Sequence, residues 1–100
     1  MNITTAIDGN KATLEVEGRL AIDTAPDLDK TVNELPESVS DIEIDLTRTT
    51  YVSSAGLRVF VNANKLAKSR GGSFCVSHPM EEVMAVLRMT GIVDLITVVD

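Results

Sequence analysis

Two adjacent serines, Ser53 and Ser54, stand where an extended segment gives way to a helical pattern, in Thr49-Thr50-Tyr51-Val52-Ser53-Ser54-Ala55-Gly56. A serine at a helix start has two chemical uses. Its hydroxyl can accept an orphan backbone N–H as a cap. An exposed hydroxyl there is also a good phosphate position, because the positive end of the helix dipole and the free N–H groups favour negative charge. One residue can do both. Gly56, inside the first turn, is expected to leave the backbone open to close approach.

Other reactive side chains are few. There is no Walker loop, no G-x-G-x-x-G, no H-E-x-x-H and no C-x-x-C. The sequence around Ser54 lacks the first glycine of a nucleophile elbow. His78, the sole histidine, precedes Pro79 at a helix start, which suits a surface or capping residue better than a base or ligand. Cys75, the sole cysteine, is expected to fill core space as a small hydrophobe. No acid–base or nucleophile–base pair appears, so catalysis is not expected, and no cofactor or metal is implied.

The elements that must position the serines can be read from periodicity. Ile3 to Ile7 is β-compatible, and the turn Asp8-Gly9-Asn10 separates it from a second run. There Ala12, Leu14 and Val16 alternate with Thr13, Glu15 and Glu17, a strand with one buried face. The two form a hairpin. Thr24-Ala25-Pro26-Asp27 has capping-box spacing and a tolerated early proline. Leu28, Val32 and Leu35 then form a core-facing helical stripe that ends near Pro36.

Ile42, Ile44 and Leu46 alternate with polar residues in a further strand. From Ala55 to Arg70 the pattern is helical, with Val59, Phe60, Ala63, Leu66 and Ala67 on one face. Leu57 and Val61 lie beside that stripe, flanked by Asn64 and Lys68; they are either an apolar strip only partly covered, open to a partner, or fully buried core. Gly71-Gly72 stops the helix. Phe74 to Val76 is a short strand, a third helix runs to Gly91 with Glu81 and Glu82 in its first turn, and Leu95 to Val99 is a last strand. The order β-β-α-β-α-β-α-β predicts an α/β fold. Strands alternating with helices make most of the sheet parallel, and the hairpin makes it mixed.

One hundred residues, 44% hydrophobic and 24% charged, fit one globular domain spanning residues 1–100. Fifteen acidic against nine basic side chains give a net charge of −6, which argues against nucleic acid and anionic membrane surfaces as partners. No apolar run reaches membrane-span length, no signal peptide is read, and a lone cysteine excludes an internal disulfide framework. A cytoplasmic monomer is expected.

The run from Asp45-Leu46-Thr47 through Tyr51-Val52-Ser53-Ser54-Ala55-Gly56-Leu57-Arg58 resembles the signature of bacterial STAS domains, and more narrowly that of anti-sigma factor antagonists. Gly18-Arg19-Leu20 with Thr24-Ala25-Pro26, Gly71-Gly72-Ser73 and Thr90-Gly91-Ile92 agree, so the likeness covers nearly the whole chain. It implies a mixed sheet with helices mainly on one side, and partner switching without catalysis. Such proteins bind an anti-sigma factor that is also a serine kinase, freeing a sigma factor. The kinase phosphorylates a serine at the start of the second helix, and a serine phosphatase resets the switch.

The motif selects Ser54 as that serine. The expected partner surface comprises Ser53, Ser54, Gly56, Leu57, Val61, Asn64 and Lys68. Where many relatives carry an acid before the phosphoserine, Ser53 stands here. Where they carry one three residues after the first motif glycine, matched to Gly18, this chain has Ala21, and the nearest acid is Asp23. Asp45 is a second candidate site acid; the other reading is a solvated strand-end aspartate. An alternative role is a STAS subunit of another assembly, a lipid-transport ABC system or a stressosome-like scaffold, in which Ser54 stays unmodified.

Overall fold

Alternating side chains account for the sheet. The computed structural model describes residues Met1–Asp100. Strands β1 (Asn2–Asp8) and β2 (Lys11–Leu20) form the expected antiparallel hairpin. Along β2, Ala12, Leu14, Val16 and Leu20 are buried while Lys11, Thr13, Glu15 and Glu17 face outward. Strand β3 (Asp41–Asp45) pairs in parallel with β2, β5 (Phe74–Ser77) with β3, and β6 (Thr97–Val99) with β5. The resulting order is β1-β2-β3-β5-β6, a mixed sheet.

One face of that sheet is apolar. It shares a single core with helices α1 (Ala25–Asn33), α2 (Ser54–Ser69) and α3 (Glu81–Met89), through Leu28, Val32, Phe60, Ala63, Val83 and Leu87 among others. The opposite face is polar and open. There Lys11 Nζ lies 3.0 Å from Glu43, and the Ser77 hydroxyl donates to Glu43 at 2.6 Å. These two contacts hold the Glu43 carboxyl below its ordinary range, the serine hydrogen bond first.

Three sequence expectations need correction. Thr49–Val52, read as the approach to a helix, forms a further strand, β4. It pairs in parallel with the last residues of β2, where the register shifts between Gly18 and Arg19. Gly18 sits at φ +101°, a conformation L side chains avoid, and this lets β2 bulge and pass from β3 to β4. Four residues are too few to display a period, so β4 left no readable alternation.

Cys75 is half-buried on the polar sheet face, because Phe74 and Val76 take the inward positions. Burial, and then the charge of Glu43, pushes its thiol pKa up. The last strand is shorter than expected. A 3-10 turn over Ile92–Asp94 precedes it, and Leu95 is 62% exposed.

Candidate functional site

The site is built where β4 hands the chain to α2. Thr49, fully buried, anchors β4 by donating its hydroxyl to the Val16 carbonyl at 2.7 Å. The Ser53 N–H donates to the Leu20 carbonyl at 2.9 Å, fixing the start of α2 against the end of β2. Gly56 closes the join. A Cβ there would lie 2.8 Å from Leu20 Cγ and 3.0 Å from Val52 Cγ1. This glycine serves packing of the first turn against β2 and β4. The expectation that it opens the backbone to a ligand is therefore corrected.

Ser54 is the first helical residue of α2 and is exposed. Ser53 occupies the cap position with extended backbone, φ −92° and ψ 176°, yet its hydroxyl makes no capping bond. Its Oγ is buried and has no hydrogen-bond partner. The expectation that one of the two serines caps α2 is corrected, since neither side chain does; Ser54 is exposed, and Ser53 is half-buried with its hydroxyl turned inward. Thr24 does not cap α1 either. Its hydroxyl accepts the Ala21 N–H at 2.8 Å and donates to the Arg19 carbonyl at 2.8 Å, bracing the turn after β2.

The remaining expected residues separate. Leu57 is 5% exposed and belongs to the core, because its position on α2 lies within the buried arc; it offers a partner almost no surface. Val61 is half-buried against the core. Lys68 is exposed, and Asn64 is half-buried with its amide 3.5 Å from the Leu95 carbonyl. Asp23 is exposed in the turn that begins at the end of β2.

Asp45 is not a neighbour of Ser54. Glu15 lies opposite Asp45 and Leu20 opposite Val52. About five residues of β2 separate these levels, on the order of 16 Å. The Asp45 carboxylate instead accepts the Thr47 backbone N–H at 2.9 Å and the Thr47 hydroxyl at 2.6 Å, closing the turn before β4.

The geometry adds residues that the sequence did not single out. A cleft of about 310 Å³ runs between α1 and α2 beside Ser54, lined by Ile22, Ala25, Pro26, Asp29, Ala55, Arg58, Val59 and Asn62. Ile22 is 81% exposed at its rim. Tyr51, 41% exposed on β4, carries the Arg19 guanidinium 4.3 Å above its ring. The outer face of α2 bears Arg58, Lys65 and Lys68, and the helix contains no acid. The chain's ion pairs use Lys11 and Arg48, so these three cations stand free on an otherwise acidic protein. A signal was present in the sequence: an apolar Ile22 inside a turn, and a sixteen-residue helix without a carboxylate.

The family model described as "Mlab, STAS domain" matches residues 3–97. The chain belongs to the STAS family. This STAS protein is 31% identical to the anti-sigma-B factor antagonist of Bacillus subtilis over 100 residues, covering 98% of this chain and 92% of that protein. It is similar to the crystal structure of a candidate anti-sigma factor antagonist from Thermotoga maritima, at 25% identity and TM-score 0.83, covering 98% of this chain and 86% of that one. The unphosphorylated form of the antagonist SpoIIAA superposes at TM-score 0.83 with 13% identity, covering 97% and 87% of the two chains. Its phosphorylated form, from Bacillus, superposes at 0.76 with 11% identity, covering 97% and 90%. At such identities SpoIIAA supports the fold of the STAS chain alone. No helix of this STAS domain is long and apolar enough to cross a membrane.

Proposed function

We propose that this STAS protein is an anti-sigma factor antagonist whose partner is an anti-sigma factor of the serine-kinase type, and that phosphorylation of Ser54 ends the interaction. The observation that carries this reading is the state of the two serines. Ser54 is exposed in the first turn of an acid-free helix, whereas the Ser53 Oγ is buried. The first therefore offers its side chain to a kinase, while the second turns its hydroxyl inward. The near full-length likeness to a named antagonist supports the partner class. It also favours this role over that of a subunit in a transport or scaffold assembly.

The partner surface is centred on Ser54 and extends over the exposed parts of α2. Asn64 and Lys68 border it on one side, and the cleft with Ile22 and Arg58 on the other. Leu57 and Gly56 support it from below. Asp23, exposed in the adjoining turn, supplies the acid nearest to the position that Ala21 leaves without one. A serine phosphatase completes the cycle, and the reaction itself belongs to the partner. Free cations on α2 fit an acidic surface, and a dianion on Ser54 reverses that complementarity.

The test is to incubate the protein with the serine-kinase anti-sigma factor of its own organism and ATP, then map the phosphate and titrate binding. Phosphate on Ser54 is expected. Ser54→Ala should stay unphosphorylated and still bind, and the Asn64→Glu, Lys68→Glu double variant should bind more weakly while melting normally. Phosphate on Ser53 with Ser54 unmodified would overturn the assignment. Unchanged affinity in the double variant would remove that side of α2 from the surface.

A further inference from the structure

Strand β1 is an edge of the sheet, and its free side has a definite register. Along β2, the backbone groups of even-numbered residues point away from β1. The Val16 carbonyl accepts the Thr49 hydroxyl and the Gly18 N–H donates to the Arg48 carbonyl, and in the turn just before β2 the Asn10 carbonyl accepts the Ser40 and Asp41 N–H groups. Odd-numbered residues of β2 therefore bond to β1, through the pairs Lys11 with Asp8, Thr13 with Ala6, Glu15 with Thr4 and Glu17 with Asn2. It follows that Ile3, Thr5 and Ile7 aim their backbone N–H and C=O groups outward, where β1 has no neighbour.

Their side chains share the apolar face, since Ile3, Thr5 and Ile7 stand opposite the buried Val16, Leu14 and Ala12. Ile3 is partly buried, and Ile7 is 49% exposed at the margin of the core. The edge carries none of the usual protections. Between Asn2 and Ile7 there is no proline and no charge, and β1 pairs with β2 without a bulge.

We propose that this edge pairs with a second copy of the same chain, antiparallel about a two-fold axis at Thr5. Only one register satisfies the free backbone groups symmetrically at that centre. Thr5 meets Thr5 of the second copy, and Ile3 meets Ile7 on each side of the axis. These pairs are hydrogen-bonded ones, and their side chains all lie on the helix-bearing face, so each exposed Ile7 is covered by an Ile3. On the open face Thr4 meets Ala6 and Asn2 meets Asp8, so no like charges stand directly opposite. The two sheets become one continuous sheet. The contact is small, below roughly 1,200 Å² in total, and the net charge of −6 opposes it, so the dimer is a weak one that concentration and salt promote. Ser54 follows β4, which β2 separates from β1, so the contact does not use the strand that leads into Ser54.

Sedimentation of the full chain from about 10 µM to 1 mM, at low and high salt, tests this. The expected result is a reversible shift from monomer to dimer, greater in high salt. Thr5→Pro removes an outward N–H without breaking a bond to β2, and should weaken the dimer by at least about tenfold with the monomer's melting temperature retained. Thr5→Lys sets a cation against its own symmetry copy and should act in the same direction. Monomer throughout the concentration range would overturn the proposal. So would a dimer that both variants leave intact, which would place the contact elsewhere.

Discussion

Phosphorylation of Ser54 should raise the stability of the free domain while abolishing partner binding. The phosphate adds about −1.5 to −2 charges at the first residue of α2. Three features of the structure receive it. The first turn of α2 contains no acid that would repel it. The dipole's positive end contributes about 0.3–1 kcal/mol. Arg58 stands at i+4 with no ion-pair partner, and a surface pair at this spacing contributes about 0.3–0.5 kcal/mol. The sum is about 1 kcal/mol, or several degrees in melting temperature for a domain of this size. Calorimetry on the phosphorylated and unphosphorylated forms reads it directly, and Arg58→Ala should remove roughly a third of the gain. Amide exchange should change only near residues 51–58. A fall of many degrees, or protection lost across β2, β3 and β5, would show that the switch works by unfolding and would refute this account.

The buried Ser53 hydroxyl predicts that Ser53→Ala is neutral or stabilising in a denaturant titration, whereas a capping serine would cost about 1 kcal/mol on removal. Glu43 ionises below its ordinary value of 4.5 because Ser77 and then Lys11 stabilise its carboxylate; its contribution is therefore present above that pH and is lost as pH falls through the lowered folded value. Stability measured from pH 7 downward should decline less steeply in Glu43→Gln, and an unchanged acid limb in that variant would contradict the assignment. Gly56→Ala should lower stability by about 1–3 kcal/mol through overpacking against Leu20 and Val52, partly offset by helix propensity, and shortening Leu20 to Val should restore much of it.

Much of the fold was legible because its core side chains repeat. Ala12-Leu14-Val16 and Ile42-Ile44 show period two, and Leu28-Val32-Leu35 shows the helical stripe; all of these are buried in the structure. What was not legible lies where a single residue changes partner. The bulge at Gly18 and the four residues of β4 have no period to display. Cys75 looks like core by residue type, but its parity places it outward. For Leu57 the sequence leaves core and half-covered strip equally open, because the polar Asn64 and Lys68 flank it; the covered arc of α2 is wide enough to include it. Composition also could not divide Ser53 from Ser54. The division depends on the hand-over from β4 to α2, a backbone geometry set by the Ser53 N–H bond to Leu20 and the close approach at Gly56.

That hand-over separates the residues that place Ser54 from those exposed on the surface. The position of Ser54 is set by contacts beneath the surface: Thr49 bonded to Val16, Ser53 bonded through its backbone to Leu20, and Gly56 packed on Leu20 and Val52. Each of these contacts ends on β2, so the strand acts as the ruler for the site. The exposed residues along α2 and beside its start carry no such duty. Ile22, Tyr51, Arg58, Lys65 and Lys68 project from that frame with large exposed portions, and none of the three α2 cations is held in an ion pair. Substituting them costs the fold little, since exposed positions away from caps and pairs usually change stability by within about 0.5 kcal/mol. Their charge and shape can therefore vary while the serine stays in place, which on the proposed function would let them match an anti-sigma factor. On the proposed function, partner choice would rest on the α2 surface and the turn after β2, while the buried join beneath Ser54 would hold the phosphate acceptor in place.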